Sequence, residues 1–279
     1  MPRSFRQVDV FGGDRLLGNP VAVVLDGDDL DDDAMRRFAR WTNLSETTFV
    51  LPPTSLDADY RVRIFTPATE LPFAGHPTLG TCHAWLEAGG GPRGDAIVQE
   101  CAAGLIPIRS TDVGLAFAAP PLVRSGPVDG ELAARLAAML RIDPDEIVDS
   151  QWVDNGPGWV AVLLRDAEAV LALEPGDLGD VKVGAVAPWP ARDAPDSPAF
   201  EVRAFFSTDG ATREDPVTGS LNASLAGWLL ATGRATAPYT AAQGAALARR
   251  GRVHISVDGD GAIWVAGATR TAITGTVEL

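Results

Sequence analysis

His76-Pro77-Thr78-Leu79-Gly80 and Asp215-Pro216-Val217-Thr218-Gly219 carry the reading that decides the fold. In each, a polar residue precedes a proline and a glycine follows three residues on. Upstream, Val62-Arg63-Ile64-Phe65 matches Val202-Arg203-Ala204-Phe205. Downstream, each stretch is followed by a tryptophan, Trp85 or Trp228, and then by a glutamine at the start of a strand, Gln99 or Gln243. Proline suits the first position of a helix and a short polar side chain suits its N-cap. The pattern therefore predicts helices over 77–88 and 216–230, with His76 and Asp215 as their N-caps. A strand, Pro-started helix and strand repeated at a period near 140 residues mean two similar lobes and not a solenoid.

Working outward, an alternating strand runs over 5–11 and an apolar one over 21–25. Asp28 to Asp33 supply an acidic start for a helix over 34–41, where Met35, Phe38 and Ala39 recur at helical spacing. Strands are expected over 47–51, 60–65, 159–164 and 200–206, and an amphipathic helix over 130–140. Ala118-Ala119-Pro120-Pro121 marks a boundary by its prolines. The lobes are then 1–119 and 120–269, with the last strand, about 270–279, able to join the first.

Composition narrows the function. The 279 residues are 46% hydrophobic and 22% charged, which belongs to globular proteins with sizeable cores. A formal charge of −14 repels phosphate backbones and anionic lipid heads. Nucleic acid and membrane surfaces are thus poor partners, and a small molecule is expected. No apolar run reaches membrane-spanning length, and the start Met1-Pro-Arg-Ser-Phe lacks a signal-peptide core, so a cytoplasmic address is expected. Cys82 and Cys101 are too few for a disulfide framework or a four-cysteine zinc site. His76 and His83 stand about two helical turns apart, too far for one zinc, so no metal is expected. Lys182 is the one lysine, with no phosphate loop before it, so Schiff-base and nucleotide schemes lack a context. Gly89-x-Gly91-x-x-Gly94 follows a helix and leads into a strand, the reverse of a dinucleotide fingerprint.

What remains is a carboxylate chemistry. Two helix starts brought to one cleft would offer free N–H groups to a substrate carboxylate. Glu46, in Asn43-Leu-Ser-Glu-Thr-Thr48, puts an acid at the start of an apolar strand; alone it also reads as an ordinary strand-end acid, and Asp215 as an ordinary cap.

Gly18-Asn-Pro-Val-Ala-Val-Val24, Asn43-Leu-Ser-Glu-Thr-Thr-Phe-Val50, Leu71-Pro-Phe-Ala-Gly-His-Pro-Thr-Leu-Gly80 and Glu214-Asp-Pro-Val-Thr-Gly-Ser220 together resemble the phenazine-biosynthesis PhzF family, in order and over nearly the whole chain. The resemblance implies an α+β fold like that of diaminopimelate epimerase: two similar lobes, each a curved mixed sheet around a central helix, with the active site between them. It implies a cofactor-independent isomerase in which Glu46 is the general acid and base, with His76 and Asp215 assisting. The substrate carboxylate would be held around Gly75, Gly219 and Ser220, with Ser45 a further contact. A homodimer is compatible with this reading. A hydrolase, lyase or epimerase on the same scaffold stays open, as does a binding protein that has lost its chemistry.

Overall fold

Apolar runs pair into sheets that wrap one helix in each half of the chain in the computed structural model, which describes residues 1–94, 96–190, 197–208 and 210–279. Two units separate, Met1–Ala118 with Ala266–Leu279, and Ala119–Val265. The first holds β1 (Pro2–Val10), β2 (Asn19–Val24), α1 (Asp32–Thr42), β3 (Glu46–Leu51), β4 (Tyr60–Phe65), β5 (Glu70–Leu71), α2 (Gly75–Glu87), β6 (Ile97–Cys101), β7 (Gly104–Thr111) and β8 (Gly114–Ala118). Next come β9 (Arg124–Pro127), α3 (Gly130–Leu140), β10 (Asp149–Asp154), β11 (Trp159–Leu163), α4 (Ala167–Leu171), β12 (Lys182–Pro188), β13 (Phe200–Thr208), β14 (Ala211–Asp215), α5 (Gly219–Ala231), β15 (Tyr239–Gln243), β16 (Gly251–Val257) and β17 (Ile263–Gly267). The last strand, β18 (Thr269–Glu278), pairs antiparallel with β1 in the first unit.

The ladder of the first unit runs β18, β1, β2, β3, β4, β6, β7, β8, with β2–β3 and β4–β6 parallel. Strands from both ends of it, β18 and β8, touch α2, so the sheet curls around that helix. In the second unit the order is β9, β10, β11, β12, β13, β15, β16, with β11–β12 and β13–β15 parallel. There α5 touches β10 and β16.

Strand alternation divides each sheet into two faces. In β3, Phe49 and Leu51 point toward α1 and join Met35, Phe38 and Ala39, while Thr48 faces the other way and accepts a hydrogen bond from Thr81 of α2 at 2.8 Å. In β12, Val183, Ala185 and Ala187 join the core with Leu136 and Leu140 of α3. Gly184 faces α5: a Cβ there would sit 2.4 Å from Leu221. A helix covered on all sides need not be amphipathic, and the first eight residues of both α2 and α5 are buried. Among the described residues, no helix is long and apolar enough to cross a membrane.

Two expectations need correction. Neither His76 nor Asp215 is an N-cap. The caps are Ala74 and Thr218; His76 is the second residue of α2, and Asp215 ends β14, paired with Ala204. Pro77 is tolerated inside the first helical turn because the N–H it lacks would have had no intrahelical partner.

The register of the repeat also shifts. Arg63 grips Glu70 with two bonds of 2.7 Å, and Arg203 grips Glu214 at 3.0 and 2.7 Å. Glu70 pairs with Phe65 and Glu214 with Phe205, so these hairpins are equivalent. Counting on from each Glu aligns Pro72 with Pro216, Gly75 with Gly219, and His76 with Ser220. Leu71, not His76, is the counterpart of Asp215.

Candidate active site

The helices fall into two kinds at their N-termini. Asp31, Asp129 and Asp166 cap α1, α3 and α4, each accepting a hydrogen bond from a first-turn N–H at 2.8 to 2.9 Å. The starts of α2 and α5 have no side-chain cap and no acid in the first turn. At these two buried helix starts no capping side chain satisfies the first-turn N–H groups.

In the first unit the start of α2 meets the start of β3. Glu46 faces α2 because it lies two residues before Thr48, and its Oε2 is 3.2 Å from His76 Nε2. The His76 side chain is 3% exposed and that of Glu46 14%. Burial pushes the His76 imidazole down to about 3, so the ring is neutral at neutral pH. Asn19 Nδ2 lies 3.3 Å from His76 Nδ1. An amide nitrogen can only donate, so Nδ1 accepts, and the ring proton sits on Nε2, toward Glu46. Ser45 immediately precedes the strand and is partly buried; Gly75, the first residue of α2, is buried.

In the second unit a buried amide organises the start of α5. Gln243 Oε1 accepts from Thr218 N at 3.0 Å and from Asn222 Nδ2 at 2.9 Å. Its Nε2 donates to Asp215 O at 3.1 Å and to Thr218 Oγ1 at 2.9 Å. Thr218 Oγ1 in turn donates to Asp215 Oδ2 at 2.7 Å, which fixes that carboxylate. Ser220 is 7% exposed; its Oγ accepts from Trp159 Nε1 at 3.1 Å and its carbonyl from Asn155 Nδ2 at 3.0 Å. Gly219 is the buried first residue of α5. Gln99 plays the part of Gln243 in the first unit, donating to Thr78 Oγ1 at 2.9 Å and accepting from Tyr60 at 3.1 Å.

Glu46 and His76 are thus in contact within one unit, and Asp215, Gly219 and Ser220 cluster in the other. Gly80 serves packing: a Cβ there would fall 2.3 Å from Val21. The thiols are buried, and burial raises both, Cys82 to about 12. Among the described residues no group of three or more His, Cys, Asp or Glu side chains could hold a metal ion. Asn19, Trp159 and Thr218 were not legible as site residues. The one available signal was that Asn19 lies inside the Gly18-Asn-Pro stretch.

The model of the phenazine biosynthesis-like protein family, PhzC-PhzF, matches residues 8–277. Antisense-enhancing sequence 1 of Schizosaccharomyces pombe is 36% identical over 98% of this chain and 97% of its own. Trans-2,3-dihydro-3-hydroxyanthranilate isomerase of Pseudomonas aeruginosa is 36% identical over 78% of this chain and 77% of its own. A PhzF-family protein of Bacillus anthracis superposes over 100% of both chains with a TM-score of 0.82 at 22% identity, a likeness of fold. A family match that begins in β1 and ends in β18 spans every element between them, and the chain belongs to the phenazine biosynthesis-like, or PhzF, family of isomerases.

Proposed function

We propose that this isomerase moves one proton between two carbons of a small unsaturated carboxylic acid, with Glu46 as both acid and base. One observation carries the reading: Glu46 Oε2 lies 3.2 Å from Nε2 of a buried, neutral His76 at an uncapped helix start. A carboxylate so placed can take a proton from carbon while the imidazole N–H donates to the charge that develops. The electron pair of the broken C–H bond enters the conjugated system and the double bond shifts. Glu46 then returns the proton to a second carbon. Substrate and product contain the same atoms, so the step needs no oxidant or reductant.

In the same proposal Asp215 is an orienting acceptor for substrate and Ser220 a hydroxyl partner. Backbone N–H groups at Gly75, Gly219 and Ser220 hold the carboxylate, and Ser45 adds a polar contact. The compound for which the Pseudomonas relative is named, a cyclic unsaturated amino acid, is the first to assay. In D₂O the product should carry deuterium at the carbon that gains hydrogen, because the Glu46 proton exchanges with solvent between the two steps. Neither turnover nor deuterium uptake with such acids would return the protein to the silent-binder reading.

A further inference from the structure

The lone lysine stands where the repeat places Glu46. Thr47 pairs with Phe65 in the first unit and Val183 pairs with Phe205 in the second, and the two phenylalanines are equivalent. One residue before each lie Glu46 and Lys182, both at the first position of a strand that is parallel to one neighbour and antiparallel to the other.

Three observations fix the direction of Lys182. Gly184, two residues on and therefore on the same face, abuts Leu221 of α5. Val183, on the other face, is in the core beneath α3. Trp159 is the ladder partner of Lys182 and sends its indole N–H to Ser220 Oγ at 3.1 Å. The Lys182 side chain therefore lies on the face that carries Trp159 and Ser220.

It is half-buried, and among the described residues it makes neither a hydrogen bond nor an ion pair within 4 Å. Among the described residues the charge that acts on it is that of Asp154, at longer range, and one oxygen of that carboxylate, Oδ1, accepts from the N–H groups of Gly156 and Gly158 at 2.7 and 2.6 Å. Burial lowers the ammonium pKa, which marks a cation short of compensation. A half-buried ammonium with no anion within 4 Å among the described residues, on the sheet face that carries Trp159 and its bonded serine hydroxyl, is arranged to receive an anion from outside the chain.

We propose that Lys182 binds a carboxylate of the substrate on the Ser220 face of the second unit and so makes the site selective for acids over their amides. This deepens the isomerase reading and rests on it for the word substrate. The binding itself can be measured without turnover.

Because Lys182 is the only lysine, reductive methylation with ¹³C-formaldehyde labels it and the chain's α-amine alone, and Lys182→Arg identifies the signal by removing it. Adding benzoate should shift the Lys182 methyl resonance saturably, and adding benzamide should leave it in place. Lys182→Met should raise the benzoate Kd about tenfold and leave weak benzamide binding unchanged, while Lys182→Arg should hold the benzoate Kd within about threefold. A Lys182 signal that does not move with benzoate, or an unchanged benzoate Kd in Lys182→Met, would overturn the proposal. Failure of deuterium uptake together with a benzoate-selective shift would remove the isomerase reading and leave the carboxylate site standing.

Discussion

α2 and α5 start on matching backbone and carry different chemistry. Glu70, Pro72, Gly75 and Gln99 in the first unit have counterparts in Glu214, Pro216, Gly219 and Gln243 in the second. These residues hold the helix in place: Arg grips the Glu of the hairpin, and a buried Gln reaches from a parallel strand to the first helical turn. The side chains between them diverge. His76 faces a carboxylate, whereas Ser220 accepts from an indole and lies toward the sheet face that carries Lys182. Backbone scaffold and side-chain chemistry are therefore separable: one helix start carries a His–Glu contact and the other an indole–hydroxyl contact.

The sharpest test of that difference is to remove the proton carrier proposed for the first unit, Glu46. Glu46→Gln keeps shape and hydrogen bonding, and kcat should fall by roughly 10²–10⁴-fold with an unchanged urea unfolding curve. Ser220→Ala should cost only about tenfold, as loss of one hydrogen-bond partner. Equal losses in the two variants, measured under saturating substrate, would deny Glu46 a role larger than that of a single hydrogen-bond partner.

The scaffold is compared through stability. Gln243→Leu strands four partners of a fully bonded buried amide and should cost about 3 kcal/mol or more in urea unfolding, whereas Gln99→Leu strands two and should cost about half as much. Equal costs would deny that the second unit depends more on its glutamine.

The last comparison, confined to acid pH, is at His76. Its folded pKa, about 3, lies below the ordinary 6.5, so the unfolded chain takes up the proton first. This contribution to stability is complete above pH of about 6.5 and is lost progressively as the pH falls toward about 3. His76→Gln should flatten the acid limb of the stability curve. In the wild type, the His76 ring carbon shifts should stay constant from pH of about 8 down to about 5, and a midpoint near 6.5 would place the ring in water.

Much of this was legible in the amino-acid order. Met35, Phe38 and Ala39 at helical spacing behind a run of aspartates specify α1, and Gly130 to Leu140 specify α3, because local periodicity and capping suffice for a surface helix. The lobe-wise repeat was visible too, and its motifs singled out Glu46, His76, Asp215 and Ser220 as candidates. The register of the repeat was not. A polar residue before proline is a local signal, and it pointed to His76 and Asp215 as counterparts; the Arg63–Glu70 and Arg203–Glu214 pairs, which join separate strands, decide otherwise.

By itself, then, the sequence determined the class of fold, the family and the residue types present at the two helix starts. Tertiary structure alone decided which atoms meet: Asn19 on Nδ1 of His76, Glu46 opposite its Nε2, Gln243 threading Thr218 to Asp215, and Lys182 on the face of Ser220. The physical reason is that protonation, tautomer and electrostatic need depend on burial and on partners tens of residues away, which strand pairing brings together and no local pattern encodes.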